Sequence, residues 1–112
     1  MGKIAVRIDP TKLANPDLDI RYELPDLVEH LTGGDIIDDG YDYDADDENT
    51  LLVFFSCKDP EVSAKHVLEI LKKHQVCGNP LLDTVVIGIS EESQTFQTVH
   101  PTKDENFTVR QW

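Results

Sequence analysis

Residues 36–55 read Ile36-Ile37-Asp38-Asp39-Gly40-Tyr41-Asp42-Tyr43-Asp44-Ala45-Asp46-Asp47-Glu48-Asn49-Thr50-Leu51-Leu52-Val53-Phe54-Phe55. Two runs of opposite character flank a turn. In the first, Tyr41, Tyr43 and Ala45 alternate with Asp42, Asp44 and Asp46, the period-2 pattern of a strand with an acidic outer face, and the strand is expected over Ile36 to Ala45. Asp46-Asp47-Glu48-Asn49 is turn chemistry. The second run, Leu51 to Phe55, is continuously apolar, as expected of a central strand covered on both faces. Together they predict a hairpin whose second arm lies inside the molecule.

Working outward, Gly33-Gly34 stops whatever precedes the hairpin. Ile20, Leu24, Leu27, Val28 and Leu31 fall on one helical face, but Pro25 breaks a helix that runs through it. Those two signals conflict. The expected compromise is a helix over 25–32 with Pro25 in its first turn, behind an irregular or one-turn lead-in. Further upstream, Ile4, Val6 and Ile8 alternate with Ala5, Arg7 and Asp9 as a half-buried strand. Downstream, Asp59-Pro60-Glu61 combines a capping residue, proline at the first position and an acid in the first turn, and predicts a helix over about 60–75 that Gly78 and Pro80 end. Thr84 to Ile89 is a β-branched strand, and Phe96 to His100 a last one. The order β-α-β-β-α-β plus a C-terminal strand is the ferredoxin-like split βαβ: an α+β fold, with an antiparallel sheet of four or five strands and two helices on one face. Val53 and Phe55 are expected in its core. The 112 residues make a single domain, with the polar tail 101–112 as its end or as an extension.

Charge is distributed unevenly. The chain carries −12, and residues 35–48 hold eight acids and no Lys or Arg. Such a surface repels duplex nucleic acid and anionic membranes, so neither is an expected partner. No apolar stretch approaches the ~18 residues of a membrane helix. The charged N-terminus predicts no secretory signal, and Val6 and the C-terminal Arg110-Gln111-Trp112 match no lipidation box. Cys57 and Cys77 are expected as free thiols in a reducing, cytoplasmic setting, since a bridge would need Cα atoms within roughly 7 Å.

Tests for site chemistry return little. From Asp42, an EF-hand loop matches at its first three ligand positions, but Asp47 stands where the turn needs glycine and Val53 where it needs a bidentate glutamate. On a strand, alternate aspartates stand about 6.6 Å apart, too far to chelate one ion without a bend. His66 and His74, two helical turns apart, are separated by about 12 Å and cannot share a zinc. Cys77 has His74 three residues before it but no oxyanion hole in view. No catalytic residue, metal or cofactor is expected.

What remains is the hairpin. Asp38, Asp39, Asp42, Asp44, Asp46, Asp47 and Glu48 form an anionic surface in which Tyr41 and Tyr43 are interleaved as aromatic anchors. Two bland readings stand beside this one: the acids as a solvated edge that deters sheet-to-sheet aggregation, and the tyrosines as core residues facing the helices. The functional expectation is a monomeric or homodimeric binding protein, not an enzyme. It would inhibit or sequester a basic protein, such as a toxin or nuclease, as an immunity protein does. The alternative is a small-molecule-binding regulatory domain or enzyme of ferredoxin-like architecture, using the sheet face or a dimer cleft.

Overall fold

The computed structural model describes residues 2–13, 15, 19–43, 49–91, 94–101 and 106–109. Its centre is the apolar arm of the hairpin. Strand β3 (Leu51–Cys57) lies between β1 (Gly2–Ile8) and β2 (Ile37–Tyr43), antiparallel to both. Val6 stands opposite Val53 on one side and Ile87 of β4 (Val85–Ser90) on the other. Strands β5 (Thr95–His100) and β6 (Asn106–Thr108) continue the sheet, giving the order β2-β3-β1-β4-β5-β6. The first four strands keep the split βαβ order. The sheet departs from the plain ferredoxin-like form by β5 and β6, added beyond β4. A sixth strand was not expected, because three residues of a polar tail carry too little alternation to mark one.

One face of the sheet is covered by α1 (Ile20–Leu31) and α2 (Pro60–Lys73). Ile20, Leu24 and Val28 of α1 and Ala64, Val67, Ile70 and Leu71 of α2 share a core with Ile4, Val6, Val53, Phe55 and Ile87. Val53 and Phe55 have no solvent exposure. α2 begins as its sequence predicts: the Asp59 side chain accepts the N–H groups of Glu61 and Val62 at 3.1 and 3.3 Å.

α1 corrects the expected boundary. It starts at Ile20, with Pro25 inside it. Proline in a helix interior costs about 3 kcal/mol, because the carbonyl four residues before loses its donor. Against that stand Ile20, Leu24 and Val28, all buried at a spacing of four. Burial of each is worth about 1.5–3 kcal/mol, so the apolar stripe outweighs the proline.

The other face has its own smaller cluster: Ala5, Leu52, Phe96 and Val109, with Phe54 and Phe107 packed against it. The Phe96 and Phe107 rings stack at 5.6 Å, and Phe54 approaches Phe96 at 6.2 Å. Small residues in the middle strands make room. A Cβ on Gly88 would stand 2.6 Å from the Phe107 ring, so this position is closed to any side chain. β6 is held by that ring and by the Val109 N–H, which donates to the Gln94 carbonyl at 2.8 Å.

Candidate functional site

The arrangement that could carry a function lies along β2. This strand forms an edge of the sheet, and Ile37 to Tyr41 are all exposed. A register shift between Asp38 and Tyr41 marks a bulge, and Gly40 within it has φ +90°, a conformation that disfavours any residue with a Cβ. The acidic sequence and the glycine act together here: bulges and charges are the usual means of keeping an edge strand from pairing with a stray one.

The described acids are tied down individually. Lys3 Nζ meets Asp39 Oδ2 at 2.8 Å across β3, a partly exposed pair worth no more than about 1 kcal/mol. Asp38 Oδ1 accepts the Gly40 N–H at 2.9 Å, and Asp42 Oδ1 accepts the Tyr43 N–H at 2.8 Å. From α1, Glu29 Oε1 accepts the Asp38 N–H at 3.2 Å. Carboxylates thus serve as acceptors for backbone donors of an edge strand. The other expected acids of the site, Asp44, Asp46, Asp47 and Glu48, lie outside the described residues. Among the described residues no three His, Cys, Asp or Glu side chains are grouped to hold a metal.

The tyrosines converge. Tyr41 meets Tyr22 of α1 edge-to-face at 6.0 Å and Tyr43 at 6.3 Å. Arg21 lies over both outer rings, 4.9 Å from the Tyr22 centroid and 5.3 Å from Tyr41. Its Nη1 donates to the Tyr43 hydroxyl at 3.5 Å, and this contact raises the guanidinium's pKa above the ordinary arginine value. Its Nε is buried with no hydrogen-bond partner among the described residues. The hydrogen bond with Tyr22 raises the Tyr41 hydroxyl above the ordinary phenol value, and Arg21 opposes the shift. Tyr43 packs half-buried against the helix-side core. Tyr41 and Tyr22 remain 40% and 51% exposed. Of the two tyrosines on β2, Tyr43 joins the core, and Tyr41 stays at the surface beside α1.

Arg21, Tyr22, Glu29 and Lys3 were not anticipated as neighbours of this strand. For Arg21 and Tyr22 the reason lies in α1. With a helix over 25–32, Arg21 and Tyr22 fall in an irregular lead-in; with the helix starting at Ile20, they stand on its first turn beside β2.

Elsewhere the surface offers shallow grooves. One of about 520 Å³ runs beside β2 and is lined by Ile37, Ser56, Cys57, Lys58, Asp59 and Ser63. Its thiol is set in surroundings that disfavour the thiolate: Cys57 is buried, donates to the Gly2 carbonyl at 3.7 Å, and has its pKa pushed up by burial. Cys77 donates to Glu23 Oε2 at 2.9 Å, and neither cysteine is joined in a disulfide. No family model, curated protein or solved structure matches this chain.

Proposed function

We propose that this chain is an acidic protein-binding domain that inhibits or sequesters a basic partner, with β2 and the acidic residues that follow it in the chain as its contact surface. An immunity protein against a nuclease toxin is one example of that class. The observation that carries the reading is a coincidence of place. Residues 35–48 carry −8 of the chain's −12 charge, and the described part of that window includes the edge strand β2, whose first five residues are exposed and whose Tyr41 lies beside the exposed Tyr22. Anionic charge steers a cationic protein toward the surface, and aromatic rings supply contact area at low entropic cost.

The test is recovery of partners from lysate of the native host at low and high salt. Wild type is compared with a variant carrying Asp42, Asp44, Asp46 and Asp47 as Asn. Wild type should recover a basic protein at low salt and lose it at high salt; the variant should bind more weakly, with a flatter salt dependence. Equal recovery of the same partners by both at every salt concentration would remove the hairpin from consideration. The groove beside Cys57 favours a second reading, a small-molecule regulatory domain. A metabolite that raises the unfolding temperature, and does so less in an Ile37→Ala variant, would support that alternative.

A further inference from the structure

Among the described residues, the large exposed apolar side chains are Tyr22, Leu31, Ile37, Tyr41 and Val62. Ile37 and Tyr41 lie on β2, and Tyr22 touches it. An unpaired sheet edge with apolar side chains beside it is the arrangement that accepts an extended peptide as an extra strand. Here, however, the Asp38, Gly40 and Tyr43 N–H groups donate to the Glu29, Asp38 and Asp42 carboxylates. A neutral strand would have to break those charge-assisted bonds and leave the carboxylates without donors. A second copy of this chain, itself at −12, would add repulsion.

We propose that β2 is a latched edge that opens to one kind of occupant, an extended Lys/Arg-rich segment of a partner protein. The cationic side chains draw the Glu29, Asp38 and Asp42 carboxylates onto themselves. The amides so released donate to carbonyls of the incoming strand, and its alternate side chains pack on Tyr41 and Tyr22. Charge complementarity acts here as the key to the backbone, not only as a long-range attraction. The inference rests on the proposed function and specifies its partner.

The test uses the full chain and three probes: a peptide alternating lysine with threonine, the same peptide N-methylated along its backbone, and a peptide alternating glutamine with threonine. Titration calorimetry at low salt should show the lysine peptide binding at least about tenfold more tightly than either other. Hydrogen exchange at the Asp38, Gly40 and Tyr43 amides should slow only with the lysine peptide. A Glu29→Gln, Asp38→Asn, Asp42→Asn variant keeps acceptors but loses charge, and should discriminate several-fold less than wild type between lysine and glutamine peptides. Equal affinity for the methylated and unmethylated lysine peptides would overturn strand addition and leave the acidic binding surface standing. A variant that still prefers lysine as strongly as wild type would overturn the latch. Failure of both lysine peptides to bind would overturn the inference, while the lysate comparison of wild type with the Asn variant decides the proposed function separately.

Discussion

The two arms of one hairpin, β2 and β3, are antiparallel neighbours of equal length, yet they live in different surroundings. β3 has Leu51, Leu52, Val53, Phe55 and Cys57 buried, with the helix-side core on one face and the aromatic cluster on the other. β2 has its first five residues exposed and meets another strand along one side only. The difference separates two kinds of work. β3 stabilises the domain by removing apolar area from water. β2 contributes little burial, so its side chains are free to be chosen for charge, for backbone acceptors and for contact with other molecules.

If that division is right, substitutions on the two arms should differ widely in cost. The largest effect is expected at Phe55, fully buried at the centre of β3. Phe55→Ala should lose about 3–5 kcal/mol in urea denaturation; a loss under about 1 kcal/mol would mean that β3 is not the structural arm. A smaller cost belongs to Gly40, where the penalty is conformational. Gly40→Ala meets no neighbouring atom but must adopt φ +90°, and should cost about 1–2 kcal/mol by the same measurement. No cost there would mean that the bulge of β2 rearranges freely. The smallest effect is expected at the acids. Asp38→Asn and Asp42→Asn keep an oxygen for the Gly40 and Tyr43 amides and relieve repulsion within the strand. Each should change stability by no more than about 0.5 kcal/mol, and a gain would sharpen the contrast with Phe55. A loss above about 2 kcal/mol would make β2 a structural arm as well.

How much of this was legible in the sequence depends on the range of the forces involved. β3 was read correctly as central because a continuous apolar run has few other places to go. α2 was read correctly because Asp59, Pro60 and Glu61 act within one turn of chain. α1 was read short because a local rule about Pro25 was weighed against an apolar stripe whose value depends on a sheet to bury it. β6 escaped notice for a related reason. Its place depends on Phe107 finding the gap left by Gly88, and those two residues lie far apart in the chain.

The candidate site divides in the same way. The sequence by itself determined that residues 35–48 are acidic, that tyrosines alternate with aspartates, and that an apolar strand follows, since composition and period are properties of the chain alone. It offered the acidic strand as a solvated edge only as one reading among several; the packed structure decided it, because strand order is set by how α1 and α2 return the chain to the sheet. Nor could the sequence bring Arg21 over the Tyr22 and Tyr41 rings, Lys3 to Asp39, or Glu29 to the Asp38 amide. Those contacts are short-range forces between groups distant in sequence, and only the packed tertiary structure brings them within reach of one another.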